Sequence, residues 1–190
     1  MPSEVKRTAD KDNLIQGYTL QPIPRDKIDW VYGIVQSTWG MQLIPYEIIL
    51  QIHQVNPSAF QVVVRLNGHV ENPEICAIIS LIPLTSESSE LMLKKSLTGL
   101  NLKPEHVAPG DTIQSSAYLA FGGVITKNIR DYGASFVYTA KLMMNYSLVF
   151  TLPITKEGLS FAQRMGFVPV EPKEDSDVGI LHIWYRNLIE

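Results

Sequence analysis

Hydrophobic and polar positions change their spacing several times along the first half of the chain. Residues 18–24 alternate and contain two prolines, which is typical of an edge strand. From residue 25, apolar side chains recur at intervals of three and four, which predicts an amphipathic helix that Gly40 can close. A second helix is predicted over residues 46–55, because Pro45 precedes it and an Asn-Pro pair follows it.

Two strands are predicted next, over residues 60–66 and 74–84. The first is rich in β-branched residues, and the second is nearly all apolar, as expected of a strand that is buried on both faces. Residues 85–112 contain a polar stretch and several Pro and Gly residues. We therefore predict an irregular insertion there, which shapes a substrate site or a dimer contact. A homodimer is thus one possible state of the protein.

The second half of the chain is more regular. It predicts the order strand, helix, strand, helix, strand, strand over residues 116–126, 134–145, 147–152, 155–165, 167–170 and 178–188. The predicted fold class is mixed α/β, with a central, mostly antiparallel sheet flanked by helices. A mobile charged segment over residues 1–14 should precede one domain over residues 15–190. Two central strands, 116–126 and 147–152, should run parallel and splay apart, because a helix connects them.

Composition and charge narrow the function classes. The chain has 190 residues, of which 45% are hydrophobic, and a net charge of −3. This charge and the lack of any Lys or Arg run argue against a nucleic-acid binder, which normally carries a basic patch. No apolar run approaches the ~20 residues that span a membrane, and the amino terminus does not resemble a signal peptide. We expect a soluble cytoplasmic protein. Cys76, the single cysteine, lies in an apolar run and should be a core residue.

One stretch combines a buried strand, a short loop and the start of a helix. The loop is predicted to hold Arg130 and Gly133, and the helix should begin at Ala134. The first N–H groups of a helix lack internal partners, and the helix dipole adds partial positive charge there. A glycine also allows a ligand to approach the backbone closely. The sequence therefore predicts an anion site at this helix start.

The six residues of that stretch resemble a known motif, Gln/Arg-x-x-Gly-x-Gly/Ala, of the GNAT superfamily of N-acyltransferases. The match runs from Arg130 to Ser135, which stands where Gly or Ala is usual. In the family this motif wraps the CoA pyrophosphate in backbone N–H groups. The resemblance implies that acetyl-CoA or another acyl-CoA is bound by the end of the preceding strand and by the motif, over Val124, Ile125, Thr126, Arg130, Asp131, Tyr132, Gly133, Ala134 and Ser135.

A second stretch, residues 155–167, is similar to the last helix of the GNAT fold, which ends in a Gly-Phe pair. Gly166 should close that helix in a left-handed conformation, and Phe167 should open the next strand. Two positions depart from the family pattern. Ala162 stands where many members have a tyrosine general acid. Phe121 stands where a carboxylate base is often found.

Tyr118 and His182 are the side chains that could stand in for the missing acid and base. Tyr118 lies on the predicted strand beside the acyl group, and His182 lies on the last predicted strand. In their absence, catalysis would rest on orientation of the amine and on a strand backbone N–H that polarises the thioester carbonyl. The histidines show no metal-ligand spacing, so no metal is predicted.

Three functions remain open at this point. The first is transfer of an acyl group, in the simplest case acetyl, from acyl-CoA to a primary amine of a small molecule or a protein. The second is a non-catalytic module that binds CoA or another ligand in the same cleft. The third is an N-acyl synthase that takes a longer acyl chain from an acyl-carrier protein, which would require an apolar tunnel. Neither nucleic acid nor a membrane is an expected partner.

Overall fold

The computed structural model of the protein describes residues 14–39, 44–66, 74–110, 112–171 and 179–186. The predicted mobile segment lies outside these ranges except for its last residue. In chain order the elements are β1 (Tyr18–Pro22), α1 (Ile28–Trp39), α2 (Tyr46–Val55), β2 (Phe60–Arg65), β3 (Glu74–Pro83), α3 (Ser86–Leu93), β4 (Ser116–Val124), α4 (Ile129–Met143), β5 (Leu148–Thr151), α5 (Lys156–Arg164), β6 (Val168–Pro169) and β7 (His182–Tyr185).

The strands form one seven-stranded sheet in the order β1-β2-β3-β4-β5-β7-β6. Neighbouring strands pair antiparallel except for β4 and β5, which pair parallel. The prediction of two central parallel strands is therefore confirmed. The helix that joins them, α4, packs on β3 and β4.

The two faces of the sheet carry different layers. On one face, Ile79 of β3 and Leu119 of β4 pack against side chains of α4 and α5 in a shared apolar cluster. On the other face, Ile82 and Tyr118 pack with Ile52 of α2 and with the insertion. Burial of apolar area on both faces explains why β3 is almost continuously apolar.

The insertion is more ordered than the sequence predicts. It contains α3, whose amino terminus is capped because the Thr85 hydroxyl accepts the N–H of Ser88. Several of its apolar side chains are buried in the core beside α2: Met92, Leu97, Leu102 and Val107. The structure therefore differs from the predicted irregular segment over α3, and the rest of the insertion is short turns and irregular chain that pack against the main core.

The largest error in the predicted elements concerns α4. The sequence predicts its start at residue 134, whereas the helix begins at Ile129. The loop that should hold Arg130 and Gly133 is therefore the first turns of the helix. The apolar periodicity misleads here, because Ile129 is exposed and the next buried side chain is the carboxylate of Asp131.

Candidate functional site

A cleft opens where β4 and β5 separate. Their parallel pairing runs from Ser116 and Leu148 to Leu119 and Thr151, after which β4 continues without β5. At the point of separation, the Thr151 hydroxyl donates a hydrogen bond to the carbonyl oxygen of Leu119 at 2.9 Å. The cleft beyond has a volume of about 990 Å³ and is lined by β4, by α4 and α5, and by α1 and α2 on the opposite face of the sheet.

A β-bulge lies at the mouth of this separation. In the pairing of β3 with β4, Ser80 is opposite Phe121 and Leu81 is opposite Leu119, so Ala120 has no partner on β3. A bulge leaves the backbone of its extra residue unpaired and bends the strand. Ala120 is exposed and lines the cleft. The bulge therefore offers an unpaired backbone group at the point where the two parallel strands diverge.

The start of α4 is capped by its own chain. The side-chain oxygen of Asn128 accepts a hydrogen bond from the N–H of Arg130 at 3.0 Å. The backbone carbonyl oxygen of Asn128 accepts one from the N–H of Asp131 at 3.0 Å. From Gly133 onward, the N–H groups point to carbonyl groups four residues earlier within the helix. Within the predicted anion site, the N–H groups of Arg130 and Asp131 and those from Gly133 onward are therefore engaged in this conformation.

A buried network surrounds the carboxylate of Asp131 in the first turn of α4. Asp131 is fully buried, and its oxygens accept the Tyr18 hydroxyl at 2.7 Å and the Thr126 hydroxyl. Arg65 lies 3.3 Å away and also contacts Glu74 at 2.6 Å. Burial, together with the Asp131 carboxylate, raises the pKa of Tyr18. The helix start thus carries an anion of its own, balanced by the Arg65 guanidinium.

Gly133 has neither a conformational nor a packing reason to be glycine. Its φ is not in the left-handed region, and a Cβ at this position would meet no atom within 4 Å. Glycine inside a helix costs about 0.5–1 kcal/mol relative to alanine. Gly133 lines the cleft and also a second, smaller groove beside α4. The open space over its backbone is what a closely approaching ligand requires.

The residues predicted to bind the cofactor divide between these surfaces. Four of them line the large cleft: Val124, Tyr132, Gly133 and Ser135. Arg130 and Ala134 line the smaller groove beside Gly133, although Ala134 is almost fully buried. Ile125, Thr126 and Asp131 are not among the residues that line either surface. Their placement makes Asp131 and Thr126 supports of the helix start.

The two candidate acid–base residues differ in their access to the cleft. Tyr118 lines it, and its ring packs so closely on Gly99 of the insertion that a Cβ there would overlap the phenol. Burial raises the pKa of Tyr118 well above its usual range, while a hydrogen bond with the Leu152 backbone acts in the opposite direction. His182 is fully buried, its Nδ1 lies 2.9 Å from the Ile180 carbonyl oxygen, and it is not among the lining residues.

Several lining residues were missed at the sequence level. Ser80 lies on β3 in the cleft, is nine-tenths buried, and its hydroxyl has no hydrogen-bond partner among the described residues. A lone serine inside an otherwise apolar strand was the available signal. Charged lining residues all come from α5: Lys156, Glu157 and Arg164. They lie on the polar face of an amphipathic helix, which by itself indicates only solvent exposure.

The described residues contain no group of three or more His, Cys, Asp or Glu residues that could hold a metal ion. Within the same ranges, no helix combines the length and apolar character needed to cross a membrane.

Solved structures with the same architecture give this cleft its context. No family model and no curated protein matches the chain. Ard1 from Thermoplasma volcanium superposes with a TM-score of 0.54 at 18% identity, covering 90% of this chain and 97% of that one. Arabidopsis thaliana NAA60 in complex with acetyl-CoA has a TM-score of 0.54 at 13% identity, over 89% and 99%.

A third structure, the NatC complex bound to Gag peptide and CoA, matches with a TM-score of 0.55 at 9% identity, over 89% of this chain and 98% of that one. The mixed α/β architecture of this chain, with its mostly antiparallel sheet and its helices, matches these neighbours. The chain has the GNAT acetyltransferase fold. Sequence identities this low show that the fold is shared, and they therefore confirm the predicted fold.

The two positions that depart from the GNAT pattern, Ala162 and Phe121, both line the cleft. Ala162 is almost fully buried in α5 and lines the cleft, so an apolar methyl group stands where many members have a phenol. Phe121 lines the cleft beside the bulge, opposite Ser80. Gly166 has a φ of +85°, so the predicted left-handed closure of the last GNAT helix is confirmed.

Proposed function

We propose that the protein is an N-acyltransferase that moves an acyl group from acyl-CoA to a primary amine. The observation that carries this proposal is the cleft between the diverging parallel strands, with the bulge at Ala120 on its edge. A thioester lying in this cleft would have its carbonyl oxygen next to an unpaired backbone group. Donors fixed before the reaction begins are effective at stabilising a developing oxyanion.

The cofactor is proposed to be acetyl-CoA or another acyl-CoA. NAA60 and NatC, which share the fold, were solved with acetyl-CoA and with CoA, respectively. In this chain the pyrophosphate would approach the exposed side of α4 over Gly133. One of its oxygens would replace the side-chain oxygen of Asn128 as the acceptor of the Arg130 N–H. Lys156 and Arg164 would add positive charge from α5.

The reaction would follow from these positions. The neutral amine nitrogen attacks the thioester carbonyl carbon, the carbon–sulfur bond breaks, and an amide forms. The sulfur leaves as a thiol once it has received a proton, and the amine loses one. Tyr118 lines the cleft on β4, the strand that carries the bulge, and its phenol could supply that proton. Burial raises the pKa of Tyr118, so the phenol carries its proton at neutral pH. Ala162 cannot donate, so orientation of the amine would supply much of the rate.

The acceptor is proposed to be a primary amine of a small molecule or of a protein. NatC, which was solved with a Gag peptide, is a neighbour of this fold that engages a polypeptide. The described lining residues contain one carboxylate, Glu157 of α5, as a partner for an approaching ammonium group. We therefore expect the amine to reach the thioester from the α5 side of the cleft.

Calorimetry with CoA and a thiol-release assay with a panel of amines test this function. Binding of CoA together with release of its thiol would support the proposal. The variant Tyr118→Phe then tests the proton donor: positioned proton transfer contributes roughly 10²-fold or more, so a loss of only two- or threefold would remove Tyr118 from that role. No CoA affinity at millimolar ligand would overturn the cofactor and the function together.

A non-catalytic CoA-binding module is the second candidate. The observation that favours it is the methyl group of Ala162, which occupies the position of the usual acid in an apolar environment. This alternative also predicts that CoA binds with its pyrophosphate over Gly133. It predicts no thiol release with any combination of amine and acyl-CoA.

A further inference from the structure

The cleft has an apolar arm that extends through the sheet from the thioester position. We define the arm by the lining residues beneath α1 and α2: Ile23, Val31, Val35, Ile52, Ile78 and Ile82. All six are buried, with relative exposures of 8% or less. The arm and the region beside α4 and α5 form one continuous cleft. A group attached to the CoA sulfur can therefore enter the arm without leaving the protein.

Charge is confined to the other end of this cleft. Among the described lining residues, the charged side chains are Lys156, Glu157 and Arg164, all on α5. An amine acceptor arrives largely as an ammonium ion, and burying a charge without a partner is strongly unfavourable. A hydrocarbon chain requires no partner. The lining of the arm therefore fits an aliphatic chain better than it fits an amine.

The neck between the bulge and the arm carries one unsatisfied polar group. Ser80 is 6% exposed and faces the cleft, and its hydroxyl has no partner within the described ranges. It is paired in register with Phe121, the residue after the bulge. A buried hydroxyl without a hydrogen bond is unfavourable, so a ligand atom that accepts one is stabilised there. A thioester carbonyl oxygen is such an atom, and it precedes an apolar tail.

From these observations we propose that the arm binds the acyl chain of a medium- or long-chain acyl thioester, several methylenes longer than acetyl. The proposal rests on the proposed acyl transfer and specifies its donor. The polar head of the thioester lies at the Ser80 neck, and the hydrocarbon tail lies between the sheet and the two helices. A cleft of about 990 Å³ is at the upper end of the range of drug-sized ligand pockets.

The affinity of a series of acyl-CoAs measures this directly. Acetyl-, butyryl-, hexanoyl-, octanoyl- and decanoyl-CoA share one CoA group and differ in chain length. Burial of each methylene should strengthen binding by about fourfold until the arm is full. Competition titration of the wild-type protein gives the slope. An affinity that stays within about twofold from acetyl to decanoyl would overturn the proposal, because a buried tail cannot be that neutral.

A matched pair of variants on α1 tests whether the dependence of affinity on chain length arises from binding in the arm. Val35→Phe places a ring in the arm, and the neighbouring Ile34→Phe makes a similar change at a position that does not line the cleft. The first should remove most of the gain for octanoyl and decanoyl chains relative to acetyl, and the second should keep it. Val31→Phe replaces the first variant if thermal unfolding shows that it does not fold. Equal slopes in all variants would contradict this placement of the chain.

Two further probes separate this proposal from the acyl-CoA function itself. The decanoyl thioester of N-acetylcysteamine carries the tail without the pyrophosphate. If this thioester binds wild type but not Val35→Phe, and CoA does not bind, then the arm binds an acyl chain and the proposal that the protein binds CoA is wrong. If octylamine competes with decanoyl-CoA as strongly as the thioester does, the arm holds an apolar acceptor and the acyl-chain proposal is wrong.

Discussion

Replacing Gly133 with alanine should raise the free energy of unfolding of the ligand-free protein and weaken CoA binding. Gly133 lies inside α4, and a Cβ there meets no atom within 4 Å. Alanine is favoured over glycine inside a helix by about 0.5–1 kcal/mol. For a domain of this size, 1 kcal/mol corresponds to a rise in Tm of about 2–4 °C.

The effect on binding has the opposite sign. If the pyrophosphate lies against this backbone, the added methyl group fills space that the ligand needs. Overpacking by one methyl group costs about 1–3 kcal/mol in a close-fitting site, which is about fivefold to 150-fold in affinity. Gly133→Val should weaken binding further, because its β-branch is larger and is also disfavoured in a helix. Calorimetry with CoA measures both variants.

Gly33 provides a control for this experiment. It is also inside a helix, α1, and a Cβ there also meets no atom within 4 Å. It does not line the cleft. Gly33→Ala should therefore give a similar rise in Tm with no change in CoA affinity. If Gly133→Ala raises the Tm and leaves the CoA affinity unchanged, the ligand does not approach α4 at this glycine and our placement of the pyrophosphate is refuted.

Three other predictions follow from the same region. Asn128→Ala removes the helix cap and should lower stability by about 1 kcal/mol, yet it should tighten CoA binding, because the side chain no longer competes for the Arg130 N–H; an unchanged affinity by calorimetry would argue against that exchange. Asp131→Ala should cost about 3–5 kcal/mol in urea unfolding, since it leaves Arg65 without its buried partner, whereas Glu74→Ala, which removes the exposed partner, should cost about 1 kcal/mol or less. Burial raises the pKa of Cys76 to about 11, so its thiol should resist a disulfide reagent at pH 8 in the folded protein and react at once in denaturant.

The raised pKa of Cys76 also fixes the sign of a pH effect. Folding favours the protonated thiol, so this contribution to stability is complete below the ordinary value of about 8.5 and falls as pH rises toward about 11. Urea unfolding of the wild type and of Cys76→Ala across that range measures it. Parallel pH profiles for the two proteins would show that the thiol does not contribute.

The sequence predicts elements well where local chemistry defines both ends. Residues 46–55 were predicted as a helix, and α2 has those bounds, because Pro45 precedes it and Asn56-Pro57 follows it. Gly166 closes α5 as predicted, since the left-handed conformation is a local property of that residue. The parallel pairing of β4 and β5 followed from the helix between them.

The remainder depends on contacts between distant parts of the chain. The start of α4 was misplaced because Asp131 is buried by pairing with Arg65, which lies 66 residues away in the sequence. The apolar arm is assembled from β3, the first two helices and Ile23, which follows β1, so no single window of the sequence contains it. Ser80 becomes informative only when the structure shows that its hydroxyl is buried and unsatisfied.

The four-residue ladder between β4 and β5 also divides the sheet mechanically. On one side, four strands pair over longer antiparallel registers, and on the other, β5, β7 and β6 form a small antiparallel group. Few backbone hydrogen bonds cross this seam, and one of the side-chain links is the Thr151 hydroxyl. Amide protons of β5 and β7 should therefore exchange with solvent together, at a lower free energy than those of β2 and β3. A ligand that bridges both walls of the cleft would slow that exchange, so protection of the small group would report occupancy of the cleft before any substrate is identified.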